Sequence, residues 1–304
     1  MQNADQTIEE LKEQELTVPS IQYKTVENTC ADFVMLCSEL DGFLDIAIGG
    51  AGKREKYQRF NHLDTMDYIV IAYIDGTPAG CGALREYEAK TIEVKRVYVR
   101  EGDRNRGIGS GILQHLMQYA RSQDYQTVLL ETGEFLAASC RLYERFGFKR
   151  IANYGAYADM PESLCMAKEL LPIRYSLERN FSVEEVRKLY QSVGWLSADY
   201  AERLVQAFEK AGLVISAREG DQLVGLLEAI DDREMIAYIH YLLVKPEYQK
   251  QGIGKRLLAL AEDYYKSYLY LLVISEKKET AGFYETCGFT GVSQAVPLQI
   301  LQER

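Results

Sequence analysis

One pattern occurs twice along the chain. Residues 104–109 read Arg-Asn-Arg-Gly-Ile-Gly and residues 249–254 read Gln-Lys-Gln-Gly-Ile-Gly, so the two loops lie 145 positions apart. Each loop precedes a stretch of helical apolar periodicity. Each is followed downstream by a Tyr-Glu-x-x-Gly-Phe string, which starts at Tyr143 in the first copy and at Tyr284 in the second. Such a period is too long for a solenoid and indicates a duplicated domain.

The length of the chain agrees with two domains. Domains average about 150 residues, and this chain has 304. We predict an N-terminal extension over residues 1–20, a first domain over 21–171 and a second domain over 172–304. Leu171-Pro172 is the predicted boundary, because apolar periodicity and strand patterns restart there.

Charge and composition exclude several classes of protein. The net charge of −10 argues against a nucleic-acid partner, which usually requires a basic face. No apolar run approaches the ~20 residues that span a bilayer, and residues 1–20 lack the apolar core of a signal peptide. The six cysteines form neither a CxxC pair nor a close Cys/His set, which is typical of reduced thiols and predicts no metal site. We therefore expect a cytoplasmic protein that binds no nucleic acid and no membrane; a homodimer stays open.

Periodicity predicts the same order of strands and helices in both halves. A Ser182/Glu185 capping box marks one helix start. The predicted strands cover 68–74, 78–87, 91–99, 127–131, 149–153 and 164–170 in the first half, and 173–177, 213–218, 222–230, 235–244 and 268–274 in the second. Helices are predicted after each glycine loop and over 7–16, 53–61, 136–146, 197–210 and 278–287. The pattern predicts an α/β fold, duplicated.

The glycine loops have the features of a phosphate-binding turn. Where a strand turns through glycines into a helix, main-chain amides at the positive end of the helix can bind an anion. A Rossmann loop needs a third glycine where Ile112 and Leu257 stand, and a Walker loop needs glycine at Gln249 and Ser or Thr at Arg256. Both are excluded. A tight strand-to-helix turn without a ligand is the alternative.

The loop pattern in both copies is x-x-Gly-x-Gly. It follows a strand that ends in Val99 or Val244 and leads into a helix. This pattern resembles the acetyl-CoA loop of the GNAT superfamily of N-acetyltransferases. The first half is also similar to a common bacterial subgroup over residues 93–99, 129–133 and 142–148. The resemblance covers nearly the whole chain as two tandem copies. It implies, for each copy, a central mixed and mostly antiparallel sheet flanked by helices, with acetyl-CoA as the cofactor.

The resemblance also implies which residues bind the coenzyme. The loop main chain would bind its diphosphate, and the ends of the fourth strands would pair with its pantetheine arm. The predicted coenzyme-binding residues are Val97, Val99, Arg104, Asn105, Arg106, Gly107, Ile108, Gly109 and Ser110 in the first domain, and Leu242, Val244, Gln249, Lys250, Gln251, Gly252, Ile253, Gly254 and Lys255 in the second.

Acyl transfer to an amine needs a base for the amine and an acid for the leaving thiolate. Freeing a lysine-like amine, with a pKa of about 10.4, costs roughly 4–5 kcal/mol at neutral pH. By resemblance, Tyr143 is the candidate acid, with Tyr284 at the matching position, and Glu93 is the candidate base. The alternatives are a tyrosine that only packs and a strand carboxylate paired with Lys95 or Arg96. In the second copy Tyr238 stands in the place of Glu93, with His240 two residues on.

These inferences predict an N-acetyltransferase that transfers the acetyl group of acetyl-CoA to a primary amine of a small-molecule or amino-acid-like acceptor. The first domain, which keeps the carboxylate, is the expected working copy. Two alternatives stay open: the second domain is the active copy, or the protein is a non-catalytic acyl-CoA-binding or regulatory protein.

Overall fold

The chain consists of two compact units, Met1–Lys168 and Glu169–Arg304. The computed structural model describes residues 20–48, 50, 62–275 and 278–292. The strand at the end of the first unit extends one residue past this division, to Glu169, and the first strand of the second unit begins at Ile173. The boundary after residue 171 falls in this short connection and stays a prediction. The helices predicted over 7–16 and 53–61 lie outside the described residues.

The first unit is built on one mixed sheet. Its elements are β1 (Ile21–Val26), α1 (Ala31–Ile48), β2 (Tyr68–Ile74), β3 (Thr77–Glu88), β4 (Thr91–Val99), α2 (Ile108–Ser122), β5 (Thr127–Gly133), α3 (Ala137–Arg145), β6 (Lys149–Arg150) and β7 (Ser163–Glu169). The described strands lie in the order β1-β2-β3-β4-β5-β7-β6. β4 and β5 run parallel, whereas the pairs β1–β2, β2–β3, β3–β4 and β6–β7 are antiparallel. The predicted mixed sheet is confirmed.

α1 and α2 pack on opposite faces of this sheet, because successive side chains of a strand point to opposite faces. Cys81 of β3 packs among the buried residues of α1. Its neighbours Gly80 and Gly82 face α2. A Cβ at Gly80 would lie 2.6 Å from the carbonyl oxygen of Tyr98, and one at Gly82 would lie 2.5 Å from a methyl carbon of Ile112. The two glycines let α2 lie directly on β3 and so fix the position of its first turn.

The second unit repeats this arrangement. Its elements are β8 (Ile173–Ser176), α4 (Val183–Ser192), α5 (Ala201–Lys210), β9 (Leu213–Glu219), β10 (Gln222–Asp231), β11 (Ile236–Val244), α6 (Ile253–Tyr264), β12 (Tyr270–Val273) and α7 (Lys278–Glu285). The described strands lie in the order β12-β11-β10-β9-β8, with β11 and β12 parallel and the other pairs antiparallel. One core joins the sheet to α4 and α5, and another joins it to α6 and α7.

Local signals explain several helix boundaries of the second unit. Ser182 accepts a hydrogen bond from the Glu185 amide, and the Glu185 carboxylate accepts one from the Ser182 amide. The predicted capping box is therefore confirmed. The helix predicted over 197–210 is wrong in its first part, where Leu196–Tyr200 forms a 3₁₀ turn before α5 begins. This turn lets Ala198 enter the core while Leu196 stays exposed.

A β-bulge interrupts the fourth strand of each unit. The β3–β4 register shifts between Cys81 and Ala83, opposite Arg96, which has a φ of +57°. The β10–β11 register shifts between Glu228 and Ala229, which leaves His240 as the extra residue. The extra residue breaks the alternation. Unbroken alternation predicts that residues 93, 95, 97 and 99 share one face of the sheet. Because of the bulge, residues 93 and 95 lie on the opposite face from residues 97 and 99.

We expect Gly80→Ala to destabilise the first unit by about 1–3 kcal/mol, because the new methyl group meets main chain that cannot move aside. Gly42→Ala in α1 is the matched control. It lies in a helix with nothing within 4 Å of its Cβ position, and alanine should stabilise it by about 0.5–1 kcal/mol. Urea unfolding of both variants measures the two changes. Equal effects of the two substitutions would contradict the close approach of the Tyr98 main chain to Gly80.

Candidate active site

Each glycine loop joins its fourth strand to a helix by the same backbone path. Asn105 and Lys250 have φ angles of +64° and +62°. Gly107 and Gly252, both at φ +80°, are the N-caps of α2 and α6, and neither helix start has a side-chain cap. A left-handed N-cap favours glycine. It leaves the first helical amides without the side-chain acceptor that serine or aspartate supplies elsewhere.

Six successive amides in each loop have no main-chain acceptor among the described residues. In the first loop they belong to residues 105–110, and the next amide, that of Gly111, donates to the Gly107 carbonyl at 3.0 Å. In the second they belong to residues 250–255, and Arg256 donates to Gly252 at 2.9 Å. A Cβ at either N-cap glycine would have no atom within 4 Å. Each loop therefore has the N–H groups and the space to bind an anion.

The side chains of the predicted loop residues hold the loop itself. Arg104 Nε donates to the Val99 carbonyl at 3.1 Å, and in the second unit Gln249 Nε2 donates to the Val244 carbonyl at 3.0 Å. The other loop contacts are Arg106 to Asp103, Arg145 to the Ser110 hydroxyl and Gln251 to the Glu247 carbonyl. These polar side chains hold the turn in place, so the main-chain amides are the groups that the loop leaves without partners.

The strands separate beside each loop. β4 pairs with β5 only from Thr91 to Val94, although β4 continues to Val99. β11 pairs with β12 only from Ile236 to Ile239, although β11 continues to Val244. The later residues of both fourth strands, including predicted Val97, Val99, Leu242 and Val244, therefore have no strand partner on that edge among the described residues. A wedge opens next to the glycine loop in both units.

The two predicted tyrosines occupy equivalent positions. Tyr143 is 6% exposed and packs edge-on against Phe148, and Tyr284 is 9% exposed and packs in the same way against Phe289. Neither hydroxyl has a hydrogen-bond partner among the described residues. Burial, aided by Cys140 and Glu131, raises the pKa of Tyr143 above its usual value. Burial, aided by Tyr238, raises the pKa of Tyr284 to about 12. Both phenols therefore stay protonated near neutral pH.

Glu93 is fully buried, with three polar neighbours. Its Oε2 accepts a hydrogen bond from Arg85 at 2.5 Å. Its Oε1 accepts one from the Tyr154 hydroxyl at 2.9 Å and lies 3.6 Å from Lys95 Nζ. The expected pairing with Lys95 is present, but pairing with Arg96 is not, because Arg96 forms an ion pair with Asp41 of α1. Glu93 is therefore shielded from solvent, and its carboxylate is in contact with these neighbouring side chains.

The neighbours of Glu93 form a buried cluster with shifted proton affinities. Burial lowers the pKa of the Lys95 ammonium, and Glu93 partly opposes that shift. Lys95 donates to the Tyr157 hydroxyl at 2.7 Å. Burial, followed by the charge of Glu93, raises the pKa values of the Tyr154 and Tyr157 hydroxyls well above their usual range. Burial also raises the pKa of Glu131, which the Ser163 hydroxyl partly offsets.

Sequence reasoning did not identify Arg85 and Glu131 as members of this cluster, and it left Tyr154 open between a wall of the acceptor pocket and an ordinary turn. Arg85 is opposite Glu93 only because a register shift between Glu86 and Glu88 moves the hairpin by one residue. Tyr154 belongs to a segment, 153–157, whose residue types also fit an ordinary turn. Glu131 lies in β5 directly after three buried apolar residues, and a charge at such a position in a buried strand is the signal that could have identified it.

Two negative findings concern the described part of the chain. Over those residues there is no group of three or more His, Cys, Asp or Glu side chains that could hold a metal ion. Within the same ranges no helix has the length and apolar character needed to cross a membrane.

We expect Arg85→Met to lower the stability of the first unit by about 3 kcal/mol, because it leaves the fully buried Glu93 with one cation fewer. Lys188→Met is the control, since it removes an ion pair with Glu184 whose side chains are 64% and 61% exposed, and should cost less than about 1 kcal/mol. Thermal and urea unfolding compare the two. A loss for Arg85→Met no larger than that of the control would contradict a buried charge network.

The chain is similar to known proteins. The sequence model of the Acetyltransferase (GNAT) family matches residues 39–148 and 180–289. The chain is 33% identical over 94 residues to "Uncharacterized N-acetyltransferase YsnE" of Bacillus subtilis, covering 30% of this chain and 62% of that protein. It is 36% identical over 103 residues to "IAA acetyltransferase" of Azospirillum brasilense, covering 34% of this chain and 67% of that protein.

A solved GNAT-family acetyltransferase from Streptococcus pneumoniae TIGR4 matches with a TM-score of 0.40 and 29% identity, over 44% of this chain and 100% of its own. The matched part of this chain spans less than two thirds of the length of the first curated relative. The family match, by contrast, includes both glycine loops and both tyrosines. The chain belongs to the acetyltransferase (GNAT) family, as two tandem copies of its domain.

Proposed function

We propose that this protein is an acetyl-CoA-dependent N-acetyltransferase that acts on the primary amine of a small-molecule or amino-acid-like acceptor. One observation carries the proposal: each unit presents six adjacent main-chain amides without acceptors at the start of a helix. Such amides bind phosphate groups by hydrogen bonds and by the helix dipole. Bound acetyl-CoA supplies an activated acetyl thioester.

The predicted coenzyme residues divide into two sets by position. Residues 105–110 and 250–255 would hold the diphosphate through their amides. The main chain of Val97 and Val99, and of Leu242 and Val244, lies along the open wedge. There it can pair with the amides of the pantetheine arm and direct an N–H at the thioester carbonyl, which stabilises the charge that develops during acyl transfer.

Tyr143 is the proposed acid of the first unit. Its hydroxyl is buried, stays protonated and has no other partner among the described residues, so it is free to donate a hydrogen bond to the leaving sulfur. Complete proton transfer is not required, because a hydrogen bond already stabilises a thiolate.

Glu93 is the proposed base, and it acts through Tyr154. An acceptor cannot touch Glu93, which is 0% exposed. The half-buried Tyr154 donates its hydroxyl proton to Glu93. It can therefore pass a proton from the acceptor amine to the carboxylate while taking one itself. This route keeps the carboxylate as the final proton acceptor and explains why burial does not exclude it.

The first unit is the proposed working copy because it holds both the acid and this proton route. Two alternatives keep their support. The second loop is as open as the first, which favours a second active unit. A non-catalytic acyl-CoA-binding or regulatory protein would require only the two loops, without an acid or a base.

We expect two acetyl-CoA sites per chain by isothermal titration, and one site after Gly107→Asp or Gly252→Asp. Aspartate tolerates the left-handed backbone, but its charge next to a diphosphate costs about 1–4 kcal/mol, which weakens Kd roughly tenfold or more. Gly107→Asn and Gly252→Asn are neutral controls of the same shape and should keep two sites. Absence of binding to the wild-type protein at millimolar acetyl-CoA would end the proposal.

We expect Tyr143→Phe to lower kcat by about 10²-fold with little change in KM for acetyl-CoA, because the hydroxyl acts on the leaving sulfur. Glu93→Gln and Tyr154→Phe should each lower kcat to a similar extent, because they interrupt one route. The assay is thiol release with polyamines, aminoglycosides, amino acids and peptides, in the Gly252→Asp background so that only the first unit is loaded.

Tyr87→Phe is the control for that series. Its ring lies 5.3 Å from that of Tyr154, but its hydroxyl makes no hydrogen bond to Glu93. Turnover should be unchanged. If Tyr143→Phe, Glu93→Gln and Tyr154→Phe all retained wild-type turnover in this background, the assignment of catalysis to the first unit would be wrong.

A further inference from the structure

We propose that the second unit is a second acyl-transfer centre, in which His240 removes the acceptor's protons and the buried Glu228 positions His240. The proposal rests on the proposed function, since it requires acetyl-CoA at the second loop. It assigns a catalytic residue that the second copy does not share with the first.

His240 and Glu228 form a hydrogen-bonded pair on neighbouring strands. His240 Nδ1 lies 3.1 Å from Glu228 Oε2, and the two side chains are 44% and 3% exposed. A carboxylate accepts, so Nδ1 donates and the proton of the neutral ring stays on that nitrogen. Nε2 then carries a lone pair and has no partner among the described residues. Glu228 thereby orients a base toward the accessible side of the ring.

The position of His240 matches a site of acyl transfer. His240 is the extra residue of the β11 bulge. It directly follows Ile239, the last residue of β11 that pairs with β12. It therefore stands where the two strands separate, in the place that Lys95 takes in the first unit. The bulge aims its side chain to the same face as Glu228, which is the face covered by α4 and α5.

Aromatic rings surround the imidazole. The ring centroids of Tyr241 and Tyr238 lie 4.0 Å and 6.0 Å from that of His240, and Trp195 lies 5.7 Å from Tyr241. Tyr241 is held in place by a 3.2 Å hydrogen bond with Ser197. Aromatic faces attract ammonium groups. These aromatic side chains fit an acceptor that is a cationic amine and carries an apolar or aromatic group.

Tyr284 is the candidate acid of the second unit, at the position equivalent to that of Tyr143. Its ring is buried and packs against Phe289, and its hydroxyl has no hydrogen-bond partner among the described residues. An amine attacking a thioester needs a proton acceptor at the nitrogen and a donor at the sulfur. His240 and Tyr284 are the groups of the second unit that can serve in these two roles.

The proton balance of the reaction assigns a role to each group. His240 Nε2 takes one proton from the acceptor ammonium and releases it to water from its exposed edge. The free amine forms the C–N bond as the C–S bond breaks, and His240 then takes the second proton from nitrogen. Tyr284 donates a proton to the leaving sulfur and regains one from water, to which His240 also releases its second proton. Two protons leave the amine, of which one ends on the thiol and one in solvent.

The pair can be tested without any coenzyme. Glutamine at position 228 can donate its amide to Nδ1, so Glu228→Gln should move the ring proton to Nε2, which ¹⁵N NMR of the full chain detects. The rate of carbethoxylation of His240 by diethylpyrocarbonate, followed by mass spectrometry, should fall about tenfold in that variant. The rates at His62 and His115 serve as internal controls. Glu219→Gln, another buried carboxylate, should change neither measurement.

Activity then separates this proposal from the proposed function. In the Gly107→Asp background only the second loop is loaded, and His240→Gln should lower kcat for thiol release by about 10²-fold or more with KM for acetyl-CoA unchanged. Glu228→Gln should lower kcat as well. If acetyl-CoA binds both loops but neither variant changes turnover or His240 reactivity, the dyad is overturned and the proposed function stands. If acetyl-CoA binds neither loop, both are overturned.

Discussion

Parallel pairing that stops after four residues is the constraint on which the rest of each unit depends. β4 leaves β5 after Val94, and β11 leaves β12 after Ile239. A strand edge that ends in mid-sheet exposes main-chain groups that normally pair. The fold places those groups beside a helix start whose amides are also free. Two sets of unpaired main-chain donors and acceptors therefore lie together in each unit, and a ligand of matching length can satisfy both.

The glycines make this arrangement possible. Gly80 and Gly82 allow α2 to lie on β3 without side chains between them, so the first turn of α2 sits close to the end of β4. Gly107 then turns the chain through a left-handed conformation that a larger residue adopts at a cost. Arg104 and Gln249 close the loops onto the strand carbonyls. In the proposed site the backbone binds the ligand, and the side chains hold the backbone in place.

The two copies share this frame and differ in the groups beside it. In the first unit the carboxylate of Glu93 is buried and contacts two cations and a tyrosine. In the second unit the equivalent position is Tyr238, and a carboxylate from the neighbouring strand, Glu228, supports the half-exposed His240. Duplication thus preserved the main-chain site, while the titratable groups were rearranged. If both units are active as proposed, the buried carboxylate and the oriented imidazole suit acceptors of different chemistry.

The sequence by itself determined the duplication, the order of elements, the two loops and the two tyrosines. These depend on local patterns of glycine, apolar spacing and turn residues, which act over a few positions. It missed β1, where the apolar/polar alternation covers only Ile21 to Lys24 and is lost at Thr25, although the strand pairs along β2. Only the tertiary structure decided which charges meet. Register shifts at Glu86–Glu88 and Glu228–Ala229 bring Arg85 opposite Glu93 and place His240 against Glu228. A bulge shifts by one residue the pattern of side chains that point to each face of the sheet. Because the position of the bulge depends on packing across the sheet, no local pattern predicts it.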